Sequence, residues 1–62
     1  MNIYCEWNPA GDILGVYSGG KLIAIVHGKE DPCLTFSEGV LPSLTFSEIE
    51  HVMDNWHNMP RK

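Results

Sequence analysis

Two glycines, Gly19 and Gly20, separate the apolar run Ile-Leu-Gly-Val-Tyr from the run Leu-Ile-Ala-Ile-Val. No other feature narrows the fold of this chain as far. A central Gly-Gly pair supplies the positive φ angles of a two-residue turn whose twist matches paired strands. Residues 13–17 and 22–26 are therefore predicted as antiparallel strands joined by Ser18-Gly19-Gly20-Lys21. A strand over residues 3–7 precedes them and stops where Pro9 presets a turn and Gly11 can take positive φ, making residues 8–12 the first hairpin loop. Residues 27–32 are polar and turn-rich, and residues 33–36 offer a short fourth strand.

The last third reads as helix. Thr45 and Glu48 form a capping box, and Leu44 can staple onto Ile49. At helical spacing Phe46, Ile49, Val52, Met53, Trp56 and Met59 fall within an arc of about 140°, opposite Ser47, Glu50, His51, Asp54, Asn55, His57 and Asn58. Pro60 helps to end the helix. The pentapeptide Leu-Thr-Phe-Ser-Glu occurs twice, at residues 34–38 and 44–48. The second copy runs into the helix, whereas Gly39 and Pro42 block propagation from the first. The expected fold is α+β, a small antiparallel meander of three or four strands within residues 2–36, packed on one C-terminal helix over about residues 46–58.

A chain of 62 residues buries only roughly 60% of its unfolded surface, which fits one domain over residues 1–62. Small-molecule pockets usually occupy roughly 300–1,000 Å³, hard to carve from such a core, so the prior moves from enzyme toward binding module. Eight acidic residues face four basic ones, two of them Arg61 and Lys62, and a phosphate backbone would be repelled by the acidic body. The N-terminal residues lack the pattern of a signal peptide, and no apolar run approaches the ~20 residues that span a bilayer. Cys5 and Cys33 are then expected as reduced thiols in the cytoplasm.

Pairing across the two loops assigns faces. With residues 8–12 as loop, Trp7 opposes Ile13 and Cys5 opposes Gly15; across the glycine turn, Gly15 opposes Ala24 and Val16 opposes Ile23. One face then carries Ile3, Cys5, Trp7, Ile13, Gly15, Tyr17, Leu22, Ala24 and Val26, with Cys5, Gly15 and Ala24 forming a trough for the helix. The other carries Tyr4, Glu6, Leu14, Val16, Ser18, Lys21, Ile23 and Ile25, and its apolar members form an association surface unless the tail or residues 39–42 fold over it. A one-residue slip would exchange the faces.

Catalytic and metal chemistry find little support. Cys5, His27, Cys33, His51 and His57 are zinc-ligand types, but there is no Cys-x-x-Cys pair, and His51 and His57 point about 120° apart on the helix. Ser47, His51 and Asp54 form a superficial Ser-His-Asp grouping on a helical face with no preorganised oxyanion site. The same holds for Cys33 near His27. No phosphate-loop glycine spacing exists. No catalytic residue, metal or cofactor is expected.

The expected function is a small non-enzymatic inhibitor or modulator, of the kind phages and mobile elements encode, that occludes a site on a larger host or defence protein. Its partner-binding residues are Tyr4, Leu14, Val16, Ile23 and Ile25 on the sheet with Glu50 and Asp54 on the helix, whose acidity suits a basic partner. The alternatives are a homodimeric structural or assembly subunit using the same face, and a nucleic-acid-binding regulator or antitoxin-like protein supported only by the Arg61-Lys62 tail and exposed histidines. Neither nucleic acid nor membrane is favoured as a partner.

Overall fold

The computed structural model describes residues 2–39 and 44–61. Four antiparallel strands, β1 (Ile3–Trp7), β2 (Leu14–Ser18), β3 (Lys21–His27) and β4 (Cys33–Phe36), are paired in chain order, and the helix α1 (Phe46–Asn58) follows them. The architecture is the α+β meander with a C-terminal helix expected from the turn residues and the helical periodicity. Gly19 and Gly20 have φ of 60° and 78°, the left-handed pair that a tight hairpin turn of this hand requires.

The capping box forms in both directions. Glu48 N–H donates to Thr45 Oγ1 at 3.1 Å, and Thr45 N–H donates to Glu48 Oε1 at 2.8 Å. The second bond holds the Glu48 carboxyl below the usual carboxylate range. At the far end Met59 is extended and its N–H reaches Asn55 O at 2.9 Å. Pro60 follows.

The register differs from expectation at two places. Trp7 pairs with Leu14 rather than Ile13, because Asn8 converts the loop into one closed by an Asn8–Ile13 pair. Asn8 N–H donates to Ile13 O at 2.9 Å, while the Asn8 side-chain Oδ1 accepts from Asp12 N–H and Ile13 N–H, each at 3.0 Å. On the other side, Tyr17 pairs with Leu22 and Val16 with Ala24. Ile23 is thus the extra residue of a bulge. Ser37 secures it, its N–H donating to Ile23 O at 2.9 Å and its hydroxyl to Leu22 O at 3.1 Å.

These shifts turn β2 over relative to the sequence-based assignment. Leu14, Val16, Ile23, Ala24 and Val26 join Trp7 in the buried core with Val52 and Trp56 of the helix, and Ile3, Cys5, Leu34, Phe36, Leu44, Met53 and Met59 pack around them. Gly15, Tyr17 and Leu22 move to the opposite face, so the expected Cys5–Gly15–Ala24 trough becomes the row Cys5, Val16, Ala24 and Phe36. Leu14, Val16 and Ile23 therefore belong under the helix, not on the free face. Phe46 is a further correction: expected in the apolar arc, it is 79% exposed, since at the first helical position it precedes the Val52–Met59 stretch that meets the core.

Candidate functional site

The sheet face turned away from the helix is built by alternation from the cross-strand pairs. Tyr4 opposes Tyr17, which opposes Leu22; Glu6 opposes Gly15, which opposes Ile25, which opposes Thr35; and His27 opposes Cys33 at the edge. Opposed residues share a face, so these nine residues form one surface. The Tyr4 and Tyr17 rings stack with centroids 5.2 Å apart and planes at 12°. Tyr4 is 50% exposed and Leu22 40%, while Tyr17 and Ile25 are half-buried.

Gly15 makes this arrangement possible. A Cβ at that position would lie 2.9 Å from Tyr17 Cε2 and 3.2 Å from Leu22 Cδ1, so both side chains lie over the bare backbone of Gly15. The result is an aromatic and aliphatic strip across β1 to β3, bordered by Glu6 on one side and by His27 and Thr35 on the other. His27 Nε2 and Thr35 Oγ1 are 3.1 Å apart.

Of the residues singled out from sequence, Tyr4 and Ile25 lie on this face, and Leu14, Val16 and Ile23 do not. Glu50 and Asp54 are exposed on the helix, on the opposite side of the sheet from Tyr4 and Ile25, so the seven do not form one contiguous surface. Tyr17 and Leu22 were missed. The signal that places them is the Asx-type hydrogen-bonding capacity of Asn8, which adds a residue to the first loop, together with Gly15 two positions before Tyr17.

The reactive groups are scattered. Cys5 is half-buried and free; burial pushes its thiol up, partly offset by the Asn55 amide, which donates to Sγ at 3.5 Å. Cys33 is exposed and free. Ser47, His51 and Asp54 are all exposed, and His51 Nε2 lies 3.3 Å from Asn55 Nδ2. Among the described residues, no three His, Cys, Asp or Glu side chains converge on one point, and no helix is long and apolar enough to cross a membrane.

A second surface feature was not foreseen. The C-terminal tail turns back over the indoles: Arg61 Cζ sits 4.4 Å from the Trp7 ring centroid and 4.8 Å from that of Trp56. The two rings are 5.2 Å apart at 47°, and Trp7 Nε1–H donates to Met59 O at 3.2 Å. The tail thus lies against the two tryptophans of the core cluster; of the other segment expected to cover the open face, residues 40–42 lie outside the described residues. Beside Arg61 opens a groove of about 600 Å³. It opens at the margin of the core, between the loops, the end of β3, Trp56 and the tail, which is how so small a domain accommodates it.

No protein-family model matches the chain, and no curated protein or solved structure does so either.

Proposed function

We propose that this protein acts as a small binding module that occludes a site on a larger partner protein, engaging it through the open sheet face. The observation that supports this is the strip of Tyr4, Tyr17, Leu22 and Ile25, presented to solvent where a sheet backed by one helix ordinarily shows polar residues. Tyrosines are enriched at protein interfaces because they bring a large rigid apolar body with a polar tip. A standard interface takes about 800 Å² per partner, which is about a fifth of the 4354 Å² surface of this domain. That demand matches a whole sheet face better than one helix stripe.

The test is capture of the partner on tagged protein, identification by mass spectrometry, and titration of the purified partner against native protein and variants. Tyr17→Glu and Leu22→Glu alter exposed or half-buried groups and leave the core intact; each is expected to weaken binding at least about tenfold, the scale of a central interface residue. Glu50→Lys with Asp54→Lys is expected to change affinity little. Loss of binding only in the helix variant would overturn the sheet face as the site. Recovery of nothing but the protein itself, with a dimer that Tyr17→Glu dissociates, would replace the heterologous partner by a second copy.

A further inference from the structure

We infer that the groove beside Arg61 is an anion site for a small phosphate monoester. Its walls are residues 10–13 of the first hairpin loop, His27 at the end of β3, Gly28 and Lys29 of the β3–β4 connection, and Trp56 with Arg61. The protein carries a formal net charge of -4, yet of the described cations Lys21, Lys29 and Arg61, the last two line this one concavity. The β3–β4 connection can bring Lys29 there because Gly28 adopts φ of 104° with no Cβ to strike the Asp31 carbonyl, which would be only 2.5 Å away.

Arg61 is the anchor. Its Cζ lies 4.4 Å from the Trp7 centroid and 4.8 Å from the Trp56 centroid, and a cation–π contact of this kind uses no hydrogen-bond acceptor, so the N–H edge keeps its donors. Among the described residues, neither that edge nor the Lys29 ammonium has a hydrogen-bond or ion-pair partner. A guanidinium already held against two indoles loses less freedom on binding, and its planar fork fits two oxygens of a phosphate. Lys29 adds a second charge. The two cations outnumber the one carboxylate of the lining, Asp12, and together offer a phosphate group more donors than either does alone.

The rest of the groove points to an ester rather than a bare ion. Its volume of about 600 Å³ lies within the range of roughly 300–1,000 Å³ typical of small-molecule sites and far exceeds one phosphate. The backbone N–H groups of Asp12 and Ile13 are already taken by Asn8 Oδ1, so side chains, not a backbone nest, hold the anion. Asp12 Oδ1 accepts from Asn8 Nδ2 at 2.7 Å, and the spare acceptor capacity of its carboxylate suits a hydroxyl on the organic portion. Sugar phosphates and nucleoside monophosphates share this chemistry. The site shares only His27 with the open sheet face, so it stands or falls apart from the partner-binding reading.

The test is an amide chemical-shift titration of the full chain with inorganic phosphate, glucose 6-phosphate and adenosine 5′-monophosphate. One or both esters are expected to give saturable shifts at Gly28, Lys29 and Arg61, about tenfold tighter than inorganic phosphate, and the tighter ester identifies the organic portion. Lys29→Gln, at an exposed position without hydrogen bonds, is expected to weaken binding about tenfold, whereas Lys21→Gln, outside the groove, leaves it unchanged. Arg61→Lys keeps the charge and loses the fork, so it too weakens binding. No saturable shift with either ester would overturn the site. Equal losses in Lys21→Gln and Lys29→Gln would reduce it to net charge, and inorganic phosphate binding as tightly as the esters would overturn the ester assignment.

Discussion

Gly15 shows how much one missing side chain can decide. Because no Cβ occupies the position 2.9 Å from Tyr17 Cε2, the Tyr17 ring lies down on the sheet and meets Tyr4 in a stack. Gly15→Ala is expected to lift Tyr17 and abolish the ring-to-ring nuclear Overhauser contacts between Tyr4 and Tyr17. Stability should change by less than about 1 kcal/mol, since the gain of Ala over Gly in a strand offsets the lost packing. Retention of those ring contacts would show that the sheet absorbs the methyl group and that Gly15 is not what seats the ring. Asn8 acts on the same scale with a wider effect: its side-chain oxygen takes two backbone donors, and through that loop it decides which face every residue of β2 presents.

Among the elements, the twin pentapeptides make a controlled comparison. Residues 34–36 lie in β4 and residues 46–48 open α1, so Thr35 is an exposed strand residue while Thr45 caps a helix, and Phe36 packs on the core while Phe46 does not. Thr45→Ala is expected to cost about 1 kcal/mol and Thr35→Ala no more than about 0.5 kcal/mol, measured by urea unfolding. The cap also gives the fold an acid limit. Glu48 is held below its ordinary range chiefly by the Thr45 N–H, so its contribution is present above the unfolded-state value of about 4.3 and lost as the pH falls through the lower folded value. Glu48→Gln is expected to flatten that part of the stability curve. The strands, the glycine turn and the capped helix were legible in the sequence, because turn chemistry, capping and periodicity are local. The register was not: the Asn8 closure and the Ile23 bulge each shift pairing by one residue, and neither alters the hydrophobic pattern within its strand. As a result Tyr4 and Ile25 were placed on the open face, but Leu14, Val16 and Ile23 were assigned there in place of Tyr17 and Leu22.

On the scale of the whole molecule, one helix and one four-stranded sheet leave two surfaces with separate characters, an aromatic sheet face and a cationic groove at the tail. Both are positioned by a single core in which Trp7 and Trp56 join the first strand to the helix. The bond from the Trp7 indole to Met59 ties residues 52 apart in sequence, whereas each sheet pairing joins strands that follow one another. Contacts between near neighbours close cheaply and distant ones close late. The meander should therefore be in place at the rate-limiting barrier, with the helix docking afterwards. Trp56→Phe is expected to speed unfolding while leaving the folding rate almost unchanged, a displacement of one arm of the chevron plot alone. A matching fall in the folding rate would place the indole pair within the nucleus. A contact made only after the barrier lengthens the life of the folded state without hastening its formation, which is the part this order of events gives to the joining of residue 7 and residue 59.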